Sequence, residues 1–257
     1  MRRRVVLGTL LLIALLTIGL LAASAMMQRS PAWWRRVDTA DPRTLRSAQA
    51  VENGLTTLFH QERDAKPRLD RSTPIAQAPI PTSRIASEDW RFTLRAADAN
   101  AWLNTRLPAW ITRREDLSAW PKEIEQIQVD FHDGMISIGA QVRAAGVLRV
   151  LSADVIPQIR PDGSLWLPAR AVRVGTLPLP TGVVLRGARQ QANDMVPVSI
   201  RDTADSDLLW RAFLGDAALA QNPTIRLPDG RRVRILNLRS QHGVLEVTCR
   251  TEWDAAP

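Results

Sequence analysis

From Val5 to Met27 the chain carries no charged residue and is dominated by Leu, Ile, Val and Ala, with Arg2, Arg3 and Arg4 just ahead. A helix of that length spans about 30 Å, the thickness of bilayer hydrocarbon. The spacing predicts a single transmembrane segment over residues 5–27, with the basic end, residues 1–4, held in the cytoplasm and all that follows on the far side. Ala23, Ser24 and Ala25 also fit the small-residue pattern of a signal-peptide cleavage site. The run is longer than a secretory h-region, and Trp33, Trp34, Arg35 and Arg36 follow where aromatic and basic side chains gather at a membrane surface, which favours a retained anchor. Either reading makes the remainder extracytoplasmic, periplasmic or extracellular. The bilayer is then the first expected partner, met by Arg2, Arg3, Arg4, Trp33 and Trp34.

The rest of the chain has the apolar content for a real core, 45% of 257 residues, enough for one sizeable domain. The net charge of +8 includes the three arginines beside the apolar run. The other basic residues are scattered and nearly all arginine, which argues against nucleic acid as a partner. Arg231, Arg232 and Arg234 form the largest basic cluster, and its alternating members read as one solvated strand face. Cys249 is the single cysteine, so it forms no intrachain disulfide, and its place in an alternating pattern makes it core filler.

Asp41-Pro42 reads as a helix start, and Leu45, Ala48, Leu55, Leu58 and Phe59 recur at helical spacing, predicting a helix over 42–63. Pro67, Pro74, Pro79 and Pro81 then predict a surface-crossing linker over 64–88. Residues 28–88 thus form a juxtamembrane helix and Pro-rich linker, and residues 89–257 an α+β domain. Within it, a short strand at Trp90–Leu94 leads into a helix presenting Ala99, Trp102, Leu103 and Leu107, closed by Pro108. Period-two patterning on either side of Asp133-Gly134, continuing from Val147 to Pro157 and from Leu165 to Val174, predicts an up-and-down series of four strands. Several carry apolar residues on both faces, so both sides of the sheet are expected to be partly covered. Helical spacing returns at 182–192 and 206–214. Strands at 225–227, 232–239 and 244–253 are expected to complete a sheet that began before these helices.

Signals for chemistry are sparse. Nucleophile elbow, phosphate loop, dinucleotide fingerprint and HExxH motif are all missing. His60, His132 and His242 sit near a helix end or in turns, where local geometry explains them. Asp202, Asp205 and Asp207 lack the spacing of a calcium loop and read as helix capping. The nine tryptophans have packing spacings rather than those of a sugar-stacking platform. The expectation is a non-enzymatic protein without metal or other cofactor.

Two stretches are similar to the YpmS-like family of membrane-anchored bacterial extracytoplasmic proteins. One is Phe92-Thr93-Leu94 followed by Asp98, Asn100, Trp102 and Leu103. The other holds Leu151-Ser152-Ala153, Pro157, Gly163-Ser164-Leu165 and the run Val172-Arg173-Val174-Gly175-Thr176-Leu177-Pro178-Leu179-Pro180. Together they cover residues 90–193. The resemblance implies a curved antiparallel sheet of long meandering strands around one or more helices, similar to half of a tubular lipid-binding domain. It also implies an apolar groove between sheet and helix, with Trp102, Leu103, Val150, Val155, Val172, Val174, Leu177 and Leu179 as lining candidates; an ordinary closed core is the competing reading. The expected function is a membrane-tethered module binding a lipid or other amphiphile. The alternative is an assembly subunit of an envelope complex, contacting a protein partner through the helix at 42–63.

Overall fold

The computed structural model describes residues 17–64, 66–68, 84–113, 120–144, 146–180, 208 and 211–253. The chain is α+β, its strands paired antiparallel in three sheets.

Helix α1 is described over residues 17–28. Among the described residues no helix is long and apolar enough to cross a membrane; residues 5–16 of the expected span, with Arg2, Arg3 and Arg4, lie outside them. Helix α2, Pro42–His60, begins as the sequence reads: Asp41 accepts the backbone N–H of Arg43, and proline occupies the first turn, where no N–H is needed. It stops short of residue 63. The guanidinium of Arg231 donates to the carbonyls of His60 and Gln61 at its end, answering acceptors that the helix leaves unpaired. Arg231 is therefore mostly covered; Arg234, expected on a solvated strand face, is also covered and pairs with Glu252.

Helix α3, Ala96–Thr105, is followed at once by α4, Leu107–Thr112. Pro108 was expected to close a helix. It opens α4 instead, because proline's missing N–H costs nothing in a first turn.

The six-stranded sheet holds β1 (Lys66–Arg68), β2 (Arg84–Ala86), β3 (Trp90–Arg95), β12 (Thr224–Arg226), β13 (Arg232–Gln241) and β14 (Val244–Trp253). Strand β14 is its hub, pairing with β13 along one side and with β3 and β2 in turn along the other. Alternation sorts its side chains: Trp90, Phe92 and Leu94 fall in register with Cys249, Val247 and Leu245. Of these, Trp90, Phe92, Leu245, Val247 and Cys249 pack with Val233, Ile235 and Leu238 and with Phe59 of α2. The reverse face pairs charges, Arg91 with Glu246 and Arg234 with Glu252.

Two expectations change here. The Pro-rich stretch has strands at both described ends, β1 and β2, joined to this sheet. The C-terminal strands complete the sheet of β3, not that of the central meander, because β3 is the partner with matching amphipathic alternation.

The meander forms a second sheet in the order β10-β9-β6-β5-β4: β4 (Ile124–His132), β5 (Met135–Ala144), β6 (Val147–Val155), β9 (Ala169–Val174) and β10 (Leu177–Leu179). Gly134 turns the first hairpin at φ +72°, as its Asp-Gly predicts. The expected strand Leu165–Val174 is broken by Pro168, which has no N–H for a ladder but whose carbonyl accepts from Ile156. Its first part, β8 (Ser164–Trp166), joins β7 (Gln158–Ile159) and β11 (Ala220–Gln221) in a small third sheet. Of the later helices, 182–192 lies outside the described residues, while 211–214 is helical and ends at Gly215, φ +76°.

The two large sheets meet at their hairpin turns. Gly243 donates to the Phe131 carbonyl, Gly134 to the Ser240 carbonyl, and the Ser240 hydroxyl to the Met135 carbonyl.

Candidate functional site

Register across the meander builds two parallel rows on one face: Ile127, Ala140, Leu151, Val174 and Leu177, and beside them Val129, Ile138, Ala153, Val172 and Leu179. Every member is apolar, and none is buried; Leu151 keeps 43% of its surface exposed. A sheet face of this composition left partly open is the sort of surface that marks a binding site. Val155 shares the face nearer its other end and is fully buried.

The opposite face is polar and covered. Gln126, Gln128, Ser137 and Ser152 are buried there; Gln128 and Ser152 share a row with Gly139 and Arg173, and Ser137 stands opposite Asp154. Residues 33–37 cross it. Gln128 accepts from Arg35 N–H and donates to the Arg35 carbonyl, and Gln126 does the same for Val37. The edge-to-face pair of Trp33 and Trp34 sits on Gly139, where a Cβ would come within 2.9 Å of both rings. Asp154 bridges Ser137, 2.7 Å, and Arg173, 2.6 Å. Next to this chain lies a cavity of about 640 Å³, bordered by Trp33, His132, Asp133 and His242; His132 pairs with Asp130, and His242 with Asp133.

Helix α1 joins the domain at the β9–β10 turn. Gly175 donates to the Val150 carbonyl, and the Met26 carbonyl accepts both the N–H and the hydroxyl of Thr176. Only a glycine fits there, since a Cβ on Gly175 would fall 2.5–2.6 Å from the carbonyl oxygens of Met26, Met27 and Arg29. Beyond this joint Ile18, Leu20 and Leu21 stand exposed.

The structure thus gathers Val172, Val174, Leu177 and Leu179, all half-buried, on one face, with Val155 toward one end. Val150 lies on the polar face, as strand parity requires for residues an odd number apart. Trp102 and Leu103 belong to α3, which runs along β4, while Leu177 and Leu179 form the opposite edge of the sheet. The sequence reading missed what fixes α3 there. Asn100 and Asn104, one helical turn apart, each donate to and accept from the outward backbone groups of β4: Asn100 at Val129, Asn104 at Ile127. They imitate a neighbouring strand and close an open edge. The i,i+4 asparagine spacing was the available signal.

Cys249 is enclosed in the six-stranded sheet's core, and burial pushes its thiol up to about 12. Among the described residues no cluster of three or more His, Cys, Asp or Glu is placed to hold a metal ion; Asp202, Asp205 and Asp207 lie outside them. Comparison with protein-family models, curated proteins and solved structures finds no match to this chain.

Proposed function

We propose that the chain is a membrane-tethered envelope module, without catalytic activity, that holds a lipid or another amphiphile against the open apolar face of the five-stranded sheet. The observation that carries this reading is the pair of uninterrupted apolar rows from β4 to β10, in which Leu151 remains 43% exposed. An acyl chain laid across them gains roughly 0.8 kcal/mol per buried methylene. The tether is supported by the exposed apolar side chains of α1 beyond its joint with Gly175, and the lipid by the likeness of residues 90–193 to the YpmS-like family. The curved-sheet architecture of that family belongs to the same proposal.

The assembly-subunit reading leans on α2. Its Phe59 is spent inside this chain, against Trp90 and Phe92, which lowers the case for a protein partner on that side.

Native mass spectrometry of the full chain, purified from membranes in mild detergent, tests the proposal. A stoichiometric lipid that survives detergent washing, and is lost in Val174→Asp with the fold intact by circular dichroism, is the expected result. A chain repeatedly empty, or a lipid retained equally by Val174→Asp, overturns it.

A further inference from the structure

The tip of the β5–β6 hairpin exposes an apolar side chain on each of its faces, with an arginine beside each: Arg143 lies across from Leu148, and Arg149 shares the face of Val147. Val147 and Leu148, adjacent and therefore pointing to opposite faces, are 41% and 37% exposed. A strand pair open on both faces is not one wall of a groove; it protrudes past whatever covers the rest of its sheet. Arg149, next in the chain, is exposed and makes no ion pair among the described residues.

The tip is also close to the anchor. Val150 receives the N–H of Gly175, and Gly175 sits against the last carbonyls of α1. From that joint Val147 is about 10 Å along β6, and Ile18 is about 12 Å along α1. Exposed Arg29, Arg35 and Arg36 flank the same joint in sequence. Apolar side chains with Arg143 and Arg149 beside them at the tip match the layered chemistry of a bilayer surface, hydrocarbon beneath anionic headgroups.

We propose that the β5–β6 tip is a membrane wedge: Val147, Leu148 and Leu151 enter the interfacial layer of the bilayer that receives α1, and Arg149 meets anionic headgroup phosphates. This rests on the tether proposed above and adds the domain's orientation. Leu151 and Val174, neighbours in one apolar row, then face the hydrocarbon, so an amphiphile passes from bilayer to sheet without crossing water.

The test uses the full chain in vesicles of phosphatidylcholine mixed with phosphatidylglycerol. An environment-sensitive fluorophore is placed at Leu148→Cys, at Leu20→Cys in α1, or at Ile225→Cys on β12; Cys249, 1% exposed, escapes labelling. Quenching by brominated lipid at positions 148 and 20, but not 225, is expected. Quenching at 20 without 148 overturns the wedge and leaves the tether standing; no quenching at 20 removes both. Concentration-dependent shielding of position 148 in lipid-free detergent assigns the tip to a second copy of the chain and also overturns the wedge. Arg149→Gln is expected to lower the quenched fraction at 148 about fivefold in the anionic vesicles, the equivalent of roughly 1 kcal/mol per basic residue, and to change nothing in pure phosphatidylcholine. An equal effect in both overturns the headgroup contact.

Discussion

Gln128 and Arg35, separated by 93 positions, are joined as if they were neighbours on paired strands: the Gln128 amide accepts the Arg35 N–H at 3.1 Å and donates to the Arg35 carbonyl at 2.5 Å. Gln128 is 1% exposed, so both backbone groups of Arg35 depend on it. This link ties the segment leaving α1 to the folded domain.

Replacing Gln128 by Leu keeps the volume and strands those two groups. Each orphaned backbone group costs about 1–3 kcal/mol, so a loss of roughly 3 kcal/mol is expected in denaturant titration, with faster proteolysis across residues 29–40. An unchanged midpoint would show that water replaces the amide.

The asparagine pair on α3 makes a different forecast. Asn104→Ala is expected to cost about 2 kcal/mol through the unpaired groups of Ile127. The double variant Asn100→Ala/Asn104→Ala uncovers the β4 edge, and exposed edges recruit other strands. Analytical ultracentrifugation should find it more self-associating than the parent chain.

Gly139→Ala pushes a methyl into Trp33 and Trp34. An overpacking penalty of about 1–3 kcal/mol is expected, together with a shift in tryptophan emission. Combining it with Trp33→Ala should cost less than the sum of the two single changes, since each relieves the other.

Asp98 governs the acid response of the α2–α3 contact. Burial raises its pKa, but hydrogen bonds from Ser47 and Arg95 and the Arg95 charge outweigh that and leave it below its ordinary 3.8. A carboxylate depressed on folding adds stability that is present above 3.8 and disappears as pH falls through the lower folded value. Stability measured against pH should therefore drop below about pH 4, and Asp98→Asn should remove that part of the slope while lowering stability at neutral pH.

Much of the strand content was legible because alternation and Asp-Gly turns are local signals. Gly134 stands where Asp133-Gly134 places a turn, and the start of α2 follows from Asp41-Pro42. Sheet membership was not legible. Strands β3 and β14 meet across some 150 residues, and nothing within either names the other beyond a matching apolar parity. The polar face of the meander was readable in principle from Gln126, Gln128 and Asp130 at period two, yet a row of buried glutamines makes sense only once residues 33–37 lie across it. In the candidate face, Val172, Val174, Leu177 and Leu179 share a side because they alternate; Val150 was misplaced beside them because its strand is apolar on both faces, which hides parity.

The hub position of β14 sets an order on biogenesis. Strands β2 and β3 leave the ribosome early and wait, hydrogen-bonding edges bare, for a partner that arrives only when residues 244–253 have been synthesised. Such long-range closure is slow and leaves sticky intermediates, so this chain should lean on a holding chaperone until its final hairpin emerges.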